Sequence, residues 1–425
     1  MIAWLLISFF VLLFLGVPIA MSLGLSAMGG ILFLGGGSTV TIAQRMFEGM
    51  NSFALLAIPL YTFAGFTMSK GGISKRLMDF CYSIVGHIYG GLARVNVLSS
   101  MIFAGISGSA VADTAGVSGM FMPEMVRKGY SKNFTVAVTA ISSTIGIIIP
   151  PSIPMVVIAG ICGISTGKLF LGGIIPGVLC GLAQMIVSYF LAKKEGVPKE
   201  PGHFTIGPVL HGLWESWPAL LMPIIIVGTI TMGIVSPTEA GVIAVVYGLF
   251  AGGIIYRELK WEDIKFAFAE TVRTSGRIFI VIGAAKLYTV MLTTAGFDKW
   301  VAKTMLGFST NPTVILIMIL LIFFIVTMFM ESIATLTLFM PILYPIALGV
   351  GINPIVLSVL ITVVIGIGLV TPPVGMCIYV ACDLMDTTVG EVFPTLVPFI
   401  AATFVCIALM VAFPQLILLP TYLMA

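Results

Sequence analysis

The stretch FAGISGSAVADTAG, residues 103–116, sets small polar residues and one carboxylate in a chain otherwise rich in apolar side chains. Ser107, Gly108 and Ser109 suit the tip of a re-entrant hairpin: glycine permits a tight backbone, and the hydroxyls are small oxygen ligands. Asp113 stands one helical turn beyond Ser109, so the two can share a face. A carboxylate in hydrocarbon costs about 3 kcal/mol on insertion scales and by default marks a functional site. Two plainer roles fit the same residues, a half-helix cap for Asp113 and close helix packing for the serines. In TMFMESIATLTLFMP, residues 327–341, Thr327 and Glu331 repeat the spacing of Ser109 and Asp113 and carry the same alternatives.

Two proline pairs accompany these clusters, Pro150–Pro151 in IGIIIPPSIPM and Pro372–Pro373 in IGLVTPPVGM. Proline removes a backbone donor and clashes with the preceding turn, so adjacent prolines break a transmembrane helix. Such breaks expose carbonyls that hold a cation and half-helix N-termini that face an anion. Ser109 and Ser152 at these interruptions, with Lys286 in VIGAAKLYTV, are the candidate contacts for an anionic substrate. Snorkelling or pairing with a carboxylate is the structural alternative for Lys286. Glu239 in SPTEAG reads as a helix cap, with Ser236 or Thr238 as cap residue and Pro237 in the first turn. His87, His203 and His211 are scattered and make no metal site. No P-loop, HExxH motif or nucleophile–base pair is visible, which argues against an ATPase or another enzyme.

Residues of this kind must be held by membrane helices. The 425-residue chain is 59% hydrophobic and 9% charged, where soluble proteins carry about 25% charged residues. Its mean hydropathy is +1.17. Apolar stretches long enough to span a bilayer recur from end to end without the alternation of an outer-membrane barrel. The expectation is an all-α integral membrane protein. A net charge of +3 without an arginine-rich patch gives no reason to expect nucleic acid. The six cysteines lie mainly in apolar segments without CxxC spacing and read as small buried residues. The N-terminal apolar run lacks a basic flank and reads as the first membrane element rather than a signal peptide. Charged loops at 69–76, 127–133, 193–203 and 256–265 place excess lysine and arginine on the cytoplasmic side. YRELKWEDIK, residues 256–265, reads as a surface helix.

The chain also repeats itself. Pro18 falls on Pro237 at a shift of 219, and Phe121-Met122-Pro123 on Phe339-Met340-Pro341 at 218, which lays Asp113 on Glu331. The proline pairs match at 222. This divides the chain into a first half, 1–192, a linker, 193–212, and a second half, 213–425. The halves hold hairpins at 95–123 and near 315–345, and broken helices around 145–155 and 366–376. Duplicated halves with Gly/Pro-interrupted segments point to a secondary transporter.

ISGSAVADTAG, IIIPPSIPM, SPTEAG and GLVTPPVG resemble signatures of the large membrane subunit of tripartite ATP-independent periplasmic (TRAP) transporters, and the resemblance runs along essentially the whole chain. It implies an ion-transporter-superfamily fold with inverted repeats, two re-entrant hairpins, broken helices and an elevator movement, in the bacterial inner membrane. It also implies sodium (Na+) coupling, a small four-helix membrane subunit and a periplasmic binding protein that delivers a small organic acid. By the same resemblance, a first sodium site involves Ser107, Gly108, Ser109, Asp113, Gly146 and Pro150. A second involves Thr327, Glu331, Gly366, Gly368 and Thr371. SGSAVADTA tilts the substrate toward a sugar acid such as sialic acid over a C4-dicarboxylate. The competing readings are a stand-alone ion-coupled anion carrier or antiporter, and a non-transporting membrane assembly subunit.

Overall fold

The computed structural model describes residues 1–34, 39–197 and 205–424, and every regular element among them is helical. Among the described residues seven helices are long and apolar enough to cross a membrane. Others are too short: Gly91–Ser107 has 17 residues and Pro312–Thr327 has 16, about 25 Å at 1.5 Å per residue, against a hydrocarbon core of about 30 Å. These short helices are the ones that end at the polar clusters.

Gly91–Ser107 and Ala110–Arg127 form the two arms of a hairpin whose tip is Gly108 and Ser109. Gly108 takes φ +65°, the left-handed conformation that lets the first arm stop and the chain reverse. A second hairpin joins Pro312–Thr327 to Ser332–Gly349 through the four residues 328–331. The helix Lys132–Ser143 runs into a short 3-10 turn, Thr144–Ile147, and resumes as Ile153–Cys162 beyond the first proline pair. Pro354–Gly368 and Met376–Asp383 repeat this around the second pair, and both Pro–Pro bonds are cis.

The structure revises the register of the repeat. Ser109 and Glu331, the residues that cap the second arms, are 222 apart, and both arms are 18 residues long. Lys132 and Pro354, which start the broken helices, keep the same offset. Asp113, the fourth residue of its arm, therefore corresponds to Thr335 and not to Glu331, and Pro123 to Pro345 rather than Pro341. The sequence match at 218 falls four residues short of this register, and two of the four come from the second tip, four residues long against two.

Packing fixes which ends lie together. The Ser131 hydroxyl donates to Glu195 at 2.8 Å, and the Lys132 ammonium to the Met385 carbonyl at 3.3 Å. A Cβ on Gly90 would meet Ala192, which brings the start of the first hairpin to the same end. At the far end Gly172 packs on Ile355 and Ile417. The first hairpin thus opens toward Glu195 and the second toward Gly172.

Two boundaries shift. Thr166–Lys194 takes in Lys193 and Lys194 of the expected 193–212 linker, and Ile206–Thr231 its last seven residues; residues 198–204, with His203, lie outside the described residues. The expected surface helix at 256–265 is instead a turn leading into the 34-residue helix Trp261–Thr294, whose first turn is fixed by Asp263 accepting from the Lys260 amide at 3.0 Å. The N-terminal apolar run divides into Ile2–Phe14 and Ile19–Leu34 at Gly16. Leu5, Phe9 and Leu23 of these helices pack with Tyr288, Ala334 and Leu338, tying the N-terminus to Trp261–Thr294 and to the second hairpin.

Candidate functional site

At the first tip, Ser109 turns its hydroxyl to the Ala112 amide at 3.4 Å and caps the second arm. That leaves Asp113 without a capping task. Its Oδ1 accepts from the Ser107 hydroxyl, and Ser107 Oγ in turn accepts from the Ser109 amide at 3.2 Å. The partner of Asp113 is thus six residues upstream, across the tip, and not Ser109 one turn back. Asp113 is fully buried, and its Oδ2 has no hydrogen-bond partner. Gly146, in the 3-10 turn before the first break, abuts it: a Cβ there would fall on Asp113 Oδ2 and lie 3.6 Å from the Ser109 carbonyl carbon. The Ile153 amide donates to the Gly108 carbonyl at 3.2 Å, and a Cβ on Gly108 would stand 2.7 Å from the Pro151 carbonyl oxygen. The Pro150 carbonyl lies beside Gly105 of the first arm. Ser107, Gly108, Ser109, Asp113, Gly146 and the first break therefore meet at one place.

The second tip has the same backbone clasp, with the Val374 amide donating to the Met328 carbonyl at 3.0 Å. Gly368 sits so near Thr327 that a Cβ would strike its hydroxyl oxygen. The side chains differ, however. Glu331 caps Ser332–Gly349: its Oε2 accepts from the Ile333 and Ala334 amides at 2.9 and 3.3 Å, and its Oε1 from the Ser332 hydroxyl at 2.7 Å. Thr327 and Thr371 donate their hydroxyls to their own helices, at Phe323 and Ile367. Gly366 does not join this group; it packs on Thr144 of the first break, where a Cβ would lie 3.3 Å from the threonine Cβ. The two breaks thus touch each other. One tip carries a carboxylate oxygen free to bind, and the other offers hydroxyls, carbonyls and a saturated carboxylate.

The three residues marked for an anion are not brought together. Ser152 donates to the Ile147 carbonyl at 2.6 Å and accepts from the Met155 amide at 3.3 Å, closing the break. Lys286 lines a separate cleft to which neither Ser109 nor Ser152 contributes. Glu239 and Ser236 form a reciprocal capping box, with the Ser236 amide donating to Glu239 at 2.7 Å. Thr238 does not cap; its hydroxyl donates to the Phe53 carbonyl at 3.1 Å.

Spanning helices around broken ones, with polar tips buried where the breaks meet, describe a multi-pass membrane transporter. The fold resembles that of the YdaH transporter of Alcanivorax borkumensis, with a TM-score of 0.61 at 14% identity over 88% of both chains. It also resembles MtrF of Neisseria gonorrhoeae, with a TM-score of 0.54 at 15% identity over 88% of this chain and 84% of that one. Residues 6–416 match the family model of the DctM component of the tripartite ATP-independent periplasmic transporter, and the chain belongs to that family. It is 37% identical to the isethionate TRAP transporter permease protein DctMQ of Oleidesulfovibrio alaskensis, over 92% of this chain and 62% of that protein's length. It is 35% identical to the sialic acid TRAP transporter large permease protein SiaM of Vibrio cholerae, over 96% of this chain and 95% of SiaM. The C4-dicarboxylate TRAP transporter large permease protein DctM of Pseudomonas aeruginosa is 35% identical, over 95% of this chain and 94% of its own. The chain is accordingly a multi-pass inner-membrane protein of a transporter family, not an enzyme.

Proposed function

We propose that this chain is the membrane translocator of a tripartite system that carries an organic anion into the cell with sodium. The observation that carries the reading is Asp113 Oδ2, a fully buried carboxylate oxygen without a partner at the first hairpin tip. A buried unpaired anion is too costly to keep unless a cation is its intended partner. Serine hydroxyls and broken-helix carbonyls around a carboxylate are hard oxygen donors, a set that suits Na+. Thr327, Glu331, Gly368 and Thr371 belong to the second sodium site of this reading, through hydroxyls and carbonyls rather than a free carboxylate. The opposed openings of the hairpins and the 222-residue register support an inverted repeat, in which the body holding both tips slides as an elevator past the remaining helices.

The family's tripartite character supports a small membrane subunit and a periplasmic binding protein as partners. Relatives named for isethionate, sialic acid and C4-dicarboxylates are 35–37% identical, too close together to choose among, and all three substrates are small acids. The test is uptake of labelled N-acetylneuraminate, isethionate and succinate into proteoliposomes holding this chain and its small subunit. Sodium gradient and cognate binding protein are omitted in turn. Uptake of one acid that needs both supports the reading. Uptake indifferent to the binding protein means a stand-alone carrier, and uptake indifferent to sodium removes the coupling ion.

A further inference from the structure

The cleft that holds Lys286 lies between two pairs of elements. On one side are Thr39–Met50 and Trp261–Thr294; on the other are Ile153–Cys162 and the second arm of the second hairpin. Its volume is about 210 Å³, and its polar lining is Glu48, Ser52, Lys286 and Thr337. Gly160 and Ile161 line it too. They end the half-helix that runs away from Ser131 and Glu195, so the cleft lies toward the end opposite Arg127, Lys132, Lys193 and Lys194. By the distribution of basic residues, that end faces outward.

Lys286 is built into this place. A Cβ on Gly49 would lie 2.6 Å from Lys286 Cβ and 3.0 Å from its Cγ, so only glycine lets Thr39–Met50 clasp the lysine stem. No carboxylate among the described residues comes within ion-pair distance of its ammonium. Glu48, next to the clasp, accepts from Arg45 at 2.7 Å. That hydrogen bond, aided by the positive charge of Lys286, holds the Glu48 carboxyl below its ordinary range and keeps it ionised near neutrality. Arg45 and Glu48 cancel, and the cleft keeps one net positive charge. The Thr337 hydroxyl donates to the Ile333 carbonyl at 2.7 Å and so presents lone pairs to a donor in the cleft.

We infer that this cleft is the substrate's outward-facing binding site and that it selects hydroxylated monoanions over dicarboxylates. Lys286 takes the single acid group, Ser52 and Thr337 meet the substrate's hydroxyls, and Glu48 rejects a second acid group. A second carboxylate would find Arg45 already engaged by Glu48 and would leave the cleft with a net negative charge, and such like-charge repulsion is a means of selectivity. The inference rests on the organic-anion reading above and adds a site and a rule of choice to it.

The test uses the full chain with its small subunit in nanodiscs at saturating sodium, without the binding protein, so that the membrane part alone selects. Thermal stabilisation is titrated with isethionate, N-acetylneuraminate and 2,3-diketo-L-gulonate as monoanions and with succinate and malate as dianions. At least one monoanion is expected to act at a concentration tenfold or more below either dianion. Lys286→Gln should weaken that monoanion at least tenfold, while Lys286→Arg keeps most of the effect. Glu48→Gln should bring the dianions at least fivefold closer, a gain of binding that a misfolded variant does not produce. Wild-type preference for succinate or malate overturns the inference, as does a Lys286→Gln protein that folds and binds the monoanion normally. An unchanged ratio in Glu48→Gln overturns it as well. If sodium-driven uptake in the complete system persists in Lys286→Gln, the site is wrong and the transport reading stands. If none of these acids is taken up by the complete wild-type system, the transport reading falls and the inference with it.

Discussion

Asp113 and Glu331 look alike in the sequence and do different work. Glu331 spends both oxygens on the start of its helix, whereas Asp113 leaves one bare because Ser109 already caps the arm before it. Asp113→Asn should therefore weaken the apparent sodium affinity of transport about tenfold or more, the scale of about 1.5–3 kcal/mol for a charge-assisted contact. The variant should remain folded, since Ser107 can still donate to the amide oxygen. Sodium titration of uptake is the check, and an unchanged half-saturation would oppose the assignment. Gly146→Ala should act on the same parameter, because its methyl would occupy the place facing Asp113 Oδ2. Glu331→Ala should act on stability instead, costing about 1 kcal/mol for the lost cap and lowering the unfolding midpoint. The sequence made the carboxylate, the small tip residues and Gly146 visible. It could not show that Ser107 rather than Ser109 bonds Asp113, because that pairing depends on how the chain turns at Gly108.

Among the elements, the first hairpin is tied to its neighbour by buried polar side chains. Asn96 of the first arm donates to the Thr139 hydroxyl at 2.7 Å and accepts from Ser142 at 3.2 Å, and Ser100 donates to Ser142 at 3.0 Å. These bonds hold the arm against Lys132–Ser143, the helix that leads to Gly146, and so set the distance between tip and break. Asn96→Leu should cost about 0.6–1.7 kcal/mol, the range for interhelical hydrogen bonds in membranes. It should also weaken sodium dependence without touching the ion site. A melting curve paired with a sodium titration separates the two effects, and a lower midpoint with intact sodium affinity would mean the tie is structural only. The proline pairs marked the breaks in the sequence, since a regular helix does not run through adjacent prolines. The repeat register was misread because a matching Phe-Met-Pro triplet outweighed a four-residue offset, half of it from the longer second tip. Local similarity does not reveal which of two helices starts later.

For the whole molecule, hydrophobicity alone announced a membrane protein, and the duplicated interruptions announced a transporter's plan. Which helix ends share a side came only from packing, through contacts such as Ser131 with Glu195 that link residues far apart in sequence. The arrangement predicts opposite exposure for two surface residues, Glu195 at the basic end and Ser165 at the other. With half-buried Cys162 replaced by serine, Ser165→Cys should react with a membrane-impermeant maleimide from outside right-side-out vesicles, and Glu195→Cys only after permeabilisation. The reverse pattern would invert the orientation.

The most direct test of the account is binding of radioactive sodium to the purified complex of this chain and its small subunit, wild type beside Asp113→Asn and Glu331→Gln. The account predicts saturable binding to the wild type, a loss of the Asp113-dependent component in Asp113→Asn, and near-normal binding in Glu331→Gln. Equal sodium binding in the wild type and Asp113→Asn, with both proteins folded, would contradict it.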